Sequence, residues 1–143
     1  MEWDEISQFV KDAAVATEDP RFYSHGGVDV LATSRALVNN ATGQDISGAS
    51  TITMQYVRNV RVQEAEAKLD EDERKAAYDE AMKQTVDRKL KEMRLAIGLE
   101  KQYSKDEIMQ GYLNIALFGR QVYGIEAAAQ YYFGTSAKDL TLP

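Results

Sequence analysis

A chain of 143 residues, 44% hydrophobic and 28% charged, has the balance of one domain able to bury a core, and excludes wholesale disorder. Its formal charge of −6 speaks against a general nucleic-acid binder, and with no cysteine it has neither disulfides nor thiolate metal sites. No window approaches the roughly 18 apolar residues of a membrane span, and the opening MEWDEISQFV has no signal-peptide character, so the chain as given is expected to be soluble.

Two prolines in the whole chain leave long helices free to form. In DEISQFVKDAAVAT, residues 4–17, the apolar Ile6, Phe9, Val10, Ala13 and Ala14 recur at helical spacing. Asp19 precedes Pro20, which steers it out of the α region, so this helix should stop near Thr17 with Glu18 at its exit. His25-Gly26-Gly27 reads as a turn, residues 28–40 as a second helix, and 41–50 as a polar loop with Gly43 and Gly48. Ser50 or Thr51 can cap a short helix over TITMQYVRN.

Residues 62–80 are rich in Glu, Asp, Lys and Ala, which favours a solvated helix with few apolar anchors. Met82, Val86, Leu90, Met93 and Ile97 then mark a long amphipathic helix to about Gln102. Ser104 and Glu107 form a capping box for a helix over 105–116, and 124–132 reads as a last helix closed by Gly134. Period-two alternation is nearly absent. The fold class is all-α, with chemistry on loops and helix starts.

Three stretches combine residue types that a plain surface does not require. In ATEDPRFYSHGGVD the acids Glu18 and Asp19 stand at a helix exit, where the dipole opposes them. They are either a solvent-exposed turn or a carboxylate in a cleft, with Phe22 and Tyr23 lowering the dielectric. His25 alone reads more readily as a structural hydrogen-bonder than as a base. In GASTITMQYVRN, Gly48, Ser50 and Thr51 at a helix start suit a phosphate, with Gln55 and Arg58 a turn or two along; an ordinary N-cap explains the same letters. In RKLKEMRLAIGLEK, Arg88 and Glu92 share a strip at i, i+4 while Lys89 lies about 100° away, so a mere surface ion pair is the competing reading.

Taken in order, these stretches resemble the signatures of the peptidoglycan glycosyltransferases (family 51), the polymerising domain of class A penicillin-binding proteins. EDPRFYSHGGVD is similar to the first signature, GASTITMQ to the second and RKLKE to the third; IMQGYLNIALFG and YGIEAAAQYYFG are similar to the last two. The resemblance covers residues 18–134 and implies a lysozyme-like all-α glycosyltransferase fold. It implies an enzyme that joins lipid II into β-1,4-linked glycan with inversion and release of undecaprenyl pyrophosphate.

By that resemblance Glu18 is the catalytic base and Glu92 the second essential glutamate. Asp19 and His25 shape the first loop beside the substrate. Ser50, Thr51, Gln55, Arg58, Arg88 and Lys89 bind the pyrophosphate end of the donor. Pro20 fixes the turn and Phe22 makes the pocket less polar. Asn114 and Glu126 read as structural, and Tyr131, Tyr132 and Phe133 as core aromatics. No cofactor is implied as required, although a divalent cation (Mg or Mn) has a place near the pyrophosphate. Implied partners are lipid II and the growing glycan, the bacterial membrane through a parent protein, moenomycin as inhibitor, and no nucleic acid.

This sequence departs from the family pattern in three places. Met54 stands where the second signature usually has a glutamine, Arg58 where lysine is common, and Gln84 where a further arginine is usual. The link from Asn59 to Arg88 is longer than usual and reads as an extra charged helical excursion. The resemblance also implies a fragment, one truncated domain of an extracytoplasmic, membrane-anchored protein without its anchor or transpeptidase domain. Two other functions fit the helical domain: a lysozyme-like enzyme that cleaves glycan with an acid, and a non-catalytic module that binds lipid II or a protein.

Overall fold

Seven α-helices account for most of the described residues of the computed structural model, which are 1–41 and 49–142. They are α1 (Gln8–Glu18), α2 (Val30–Ala41), α3 (Ile52–Glu66), α4 (Glu71–Met82), α5 (Val86–Glu100), α6 (Lys105–Ile115) and α7 (Ile125–Phe133). No strand occurs among the described residues; one isolated bridge pairs Leu117 with Tyr123. Gly43 and Gly48, expected in a polar loop, lie outside the described residues.

The main core gathers on α6, where Ile108, Met109, Tyr112 and Leu113 fall on one helical face. Ile52 at the start of α3, Ile125 and Ala129 of α7, Ile6 and Phe22 complete it. A smaller cluster joins Met54 and Val57 of α3 to Ala96 of α5. Helix α3 packs against α4, α5 and α6, so it is the element from which the rest is hung.

The helix ends follow local chemistry. Glu18 closes α1, and Asp19, held at φ −157° and ψ 77° ahead of Pro20, has left helical geometry. Thr51 caps α3 by accepting from Met54 N–H, and Asp70 caps α4 by accepting from Glu73 N–H. Ser104 and Glu107 form the expected capping box, and Gly134 closes α7 in the left-handed region at φ +66°. At the N-terminal end, residues Trp3–Glu5 form a 3-10 turn, so α1 begins later than the apolar spacing suggested.

Several sequence expectations are corrected. The long helix expected from Met82 to Gln102 is broken at 83–85, where Thr85 caps α5. Most of its apolar stripe is also turned outward: Val86 is 75% exposed and Leu90 55%, while Met93 packs on the smaller cluster and Glu92 and Ala96 are buried. Periodicity identifies a face but not the side on which the core lies, and here an ion-paired carboxylate takes the inner position. Residues 62–80 are not one solvated helix. They are the end of α3 and most of α4, seamed by buried Val62 and Ala65, with Ala81 buried beyond. Tyr131, Tyr132 and Phe133 are not core residues, being 55%, 45% and 72% exposed.

The turn after α1 is fastened at both ends. Asp29 accepts from Ala32 N–H at the start of α2 and is ion-paired with Arg21, which holds its carboxyl down at about 2. Gly27 is buried at φ +93°, and a Cβ there would stand 2.7 Å from the Ala96 carbonyl carbon and oxygen in the backbone of α5. Gly26, by contrast, faces open space. Replacing Gly27 with alanine is expected to cost about 3–5 kcal/mol, read by urea unfolding, because both the backbone angle and the α5 contact must give. Gly26→Ala should cost under about 1 kcal/mol, and equal losses at the two positions would contradict this packing.

Candidate active site

Glu18 ends α1 with its side chain exposed. Its Oε2 accepts from Gln55 Nε2 of α3 at 3.0 Å, and Gln55 Oε1 accepts from the Tyr112 hydroxyl of α6 at 3.1 Å. The Glu18 carboxylate borders a cavity of about 360 Å³ between α1, α6 and α7, with mostly apolar walls. Phe22 does not supply that lining. It is wholly buried in the main core, with the Lys105 ammonium 4.5 Å from its ring centre.

Asp19 turns the other way and is 5% exposed. Its Oδ2 accepts from His25 Nε2 at 2.8 Å and from Ile52 N–H at 3.1 Å. His25 Nδ1 accepts from Gly27 N–H at 3.2 Å, so the ring proton lies on Nε2, toward Asp19. The Thr51 hydroxyl donates to Gly27 O at 2.7 Å while capping α3. The start of α3, which the sequence offered as a phosphate cradle, thus has its first N–H taken by Asp19 and its cap hydroxyl engaged internally. Asp19, His25 and Thr51 act in this geometry as fasteners between the first loop and α3.

The cations gather one and two turns further along. Glu92 of α5 has no exposed surface. Arg58 grips it with both ends of its fork, Nε to Oε1 at 2.9 Å and Nη2 to Oε2 at 3.1 Å, and Arg88 Nη1 also donates to Oε1. This is no surface ion pair. Burial pushes the Glu92 carboxyl up, but the Arg58 hydrogen bonds and the charges of Arg58 and Arg88 more than reverse it, leaving it below the ordinary range.

Lys89 donates to the Ser50 hydroxyl, bringing the second and third signature stretches together. Its ammonium is lowered by burial, with the charges of Arg58 and Arg88 adding to the effect and Glu92 opposing it. Among the described residues three cations stand against one carboxylate, a surplus of two positive charges, and an anion would relieve the repulsion on Lys89.

Gln55 and Arg58 are three apart on α3 and therefore neighbours on its surface. One helix face thus carries both the residue that holds Glu18 and the residue that holds Glu92. Met54 points away from this face into the smaller core cluster, so the departure from a second glutamine removes no contact that this geometry could have used. Near Gln84 the Lys83 carbonyl accepts from Arg88 Nε, which helps to aim that guanidinium but supplies no cation in place of the usual arginine. Asn114 bonds Met1, and Glu126 accepts from Ala137 N–H and Ser136, both ties between chain segments.

Sequence reasoning passed over Tyr112 and read Gly27 only as a turn residue. Tyr112 lies on the core stripe of α6, and a phenol on such a stripe needs a hydrogen-bond partner, which was the available signal. A second groove, of about 750 Å³ between α3, α5 and α6, contains none of the candidate residues.

A family model described as Transglycosylase matches residues 1–143. The chain belongs to the transglycosylase family. It is 40% identical over 139 residues to penicillin-binding protein 1F of Bacillus subtilis (strain 168), covering 96% of this chain and 17% of that protein. It is 41% identical over 133 residues to a monofunctional glycosyltransferase of Staphylococcus haemolyticus (strain JCSC1435), and 40% identical over 133 residues to one of Staphylococcus aureus (strain JH9). Each of those two matches covers 93% of this chain and 43% of the relative, so the chain spans less than half the length of these curated relatives. The lysozyme-like all-α fold and the ordered signatures are accordingly those of this transglycosylase domain.

Removing the fork that neutralises Glu92 should destabilise the domain. Arg58→Ala leaves a buried carboxylate with Arg88 alone, an expected loss of about 2 kcal/mol in urea unfolding at neutral pH. The pH dependence has a definite sign. The Glu92 carboxyl is depressed in the folded state, so its stabilisation is present above the ordinary value of 4.5 and is lost as pH falls through the lower folded value. Arg58→Ala lifts that folded value, so its acid loss of stability should span a narrower range than the parent's; superimposable pH–stability curves would contradict the buried pair.

Proposed function

We propose that the domain polymerises lipid II as a peptidoglycan glycosyltransferase, with Glu18 as general base and the Arg58–Arg88–Lys89 cluster as the seat of the departing pyrophosphate. The observation that carries this reading is the spatial division on α3: an accessible carboxylate beside Gln55, and a cation-rich site beside Arg58. A sugar hydroxyl is a weak nucleophile, and a carboxylate within hydrogen-bond reach removes its proton as attack begins. The leaving group needs positive charge more than it needs a proton donor.

In this reading the 4-hydroxyl oxygen of one lipid II unit attacks the anomeric carbon of the donor from the face opposite its phosphate, as its proton passes to Glu18. The new glycosidic bond forms while the anomeric C–O bond to phosphate breaks, and undecaprenyl pyrophosphate leaves with the bonding electrons. Backside attack inverts the configuration. Lys89 and Arg88 face the developing phosphate charge, the Ser50 hydroxyl adds a donor, and Glu92 holds the arginine forks in register. Gln55 serves the base rather than the phosphate.

A divalent cation, Mg or Mn, finds no ready protein cage. No three His, Asp or Glu side chains gather among the described residues, and both Glu92 oxygens are engaged by arginine. Such an ion would ride on the phosphate oxygens, and no step above depends on it. In this reading the domain works at the extracytoplasmic face of a bacterial membrane, carried there by a longer parent protein; the relatives named a penicillin-binding protein and monofunctional glycosyltransferases agree with the glycosyltransferase part of it. No helix of the described residues is itself long and apolar enough to cross a membrane. Moenomycin is the inhibitor this reading assigns to the donor side.

The test is glycan formation from lipid II in detergent. The parent chain should make polymer, and Glu18→Gln should slow it by at least about a hundredfold. Lys89→Ala should lower kcat by about ten- to a hundredfold through loss of leaving-group stabilisation. Polymer from Glu18→Gln at the parental rate would remove Glu18 as the base. Lipid II bound tightly by the parent with no turnover would assign the domain to binding.

A further inference from the structure

Tyr112 reaches Glu18 through an intermediary. Its ring sits in the main core with 8% exposure, and its hydroxyl donates to Gln55 Oε1 at 3.1 Å. Gln55 Nε2 donates in turn to Glu18 Oε2 at 3.0 Å. A primary amide has one donor end and one acceptor end, while an ionised carboxylate only accepts. An ionised Glu18 therefore requires the NH2 end of Gln55, which leaves the amide carbonyl facing α6 and in need of a donor. The Tyr112 phenol is that donor.

We propose that Tyr112 is a positioning residue for Glu18: by donating to the Gln55 carbonyl it holds the amide with its N–H edge on the carboxylate and keeps that carboxylate aimed across the cavity mouth. The proposal rests on the reading of Glu18 as the base. Glu18 is exposed, and among the described residues Gln55 is the one side chain that hydrogen-bonds to it. Without the phenol the amide is free to turn over, bringing Oε1 against the carboxylate, two acceptors face to face. The base would then swing into solvent.

Two further observations agree. Burial, with the Glu18 charge adding to it, pushes the phenol up to about 12, so Tyr112 keeps its proton at any pH at which the enzyme works. The two bonds also run in one direction, phenol to amide to carboxylate, and each donor polarises the next in a site partly closed to water. The carrier of the relay is α3, held at its start by Asp19 and Thr51, so the amide itself stands on a fixed base.

The test uses Tyr112→Phe, which keeps the ring and its packing. Its melting temperature should stay close to the parent's, while kcat for lipid II falls about three- to tenfold with KM unchanged. In a Gln55→Ala background the same substitution should have no further effect, since the relay is already cut. Independently of activity, the side-chain amide proton and nitrogen resonances of Gln55 should move in Tyr112→Phe. Parental kcat, or an equal loss in both backgrounds, would overturn the proposal. If the parent chain itself makes no glycan, the activity reading fails separately, and an unmoved Gln55 amide in Tyr112→Phe would then refute the relay on its own.

Discussion

A carboxylate without any solvent, clasped by arginines from two helices, sets the terms for the whole domain. A buried Glu92 alone would cost several kcal/mol, so α3 and α5 are bound to the one arrangement in which Arg58 and Arg88 both reach it. That arrangement brings Glu92 inside beside Ala96 and Met93 of α5 and leaves Val86, Leu90 and Ile97 outside, against the usual pattern of an amphipathic helix. The fold thereby carries a charge in its interior, with a surplus of cations beside it among the described residues, an arrangement that favours an anion. Replacing the group by apolar residues would suit stability better than it would suit this chemistry.

Helix α3 translates that constraint to the other half of the site. Three residues before Arg58, Gln55 holds Glu18, so the accessible carboxylate and the cation cluster are read from the same rigid surface. The helix is itself pinned at its start. Asp19 takes the Ile52 N–H, Thr51 reaches Gly27, and Gly27 lies against the backbone of α5 without room for a Cβ. Loop, α3 and α5 close into a triangle in which a shift of any side displaces both carboxylates. The first signature is therefore as much a clamp as a source of the exposed carboxylate, and its histidine, aspartate and second glycine belong to the clamp.

Much of this was legible in the sequence, unevenly. The stop at Asp19-Pro20, the Ser104–Glu107 box and the Gly134 closure depend on local chemistry alone, and they stand where local chemistry put them. The charged excursion after Asn59 is helical, as its composition suggested, though its turn between Glu66 and Glu71 was not read. The candidate residues were found through ordered signatures, since spacing alone left Arg88 and Glu92 indistinguishable from a surface pair. What stayed hidden depends on tertiary partners. A stripe such as Val86, Leu90 and Ile97 does not say which way it faces, and Phe22 beside an acid does not say that it packs beneath Lys105. The phosphate cradle read at Ser50-Thr51 needed free N–H groups, and nothing local revealed that Asp19, more than thirty positions away, takes the first of them.

The measurement that bears most directly on this account is a titration of the domain with inorganic pyrophosphate, followed by the side-chain nitrogen resonances of its arginines and lysines. The account predicts saturable shifts at Arg58, Arg88 and Lys89, weakened by salt and abolished by Lys89→Ala, with surface lysines such as Lys68 and Lys91 unmoved. Shifts spread evenly over surface cations, or none in the cluster around Glu92, would contradict it.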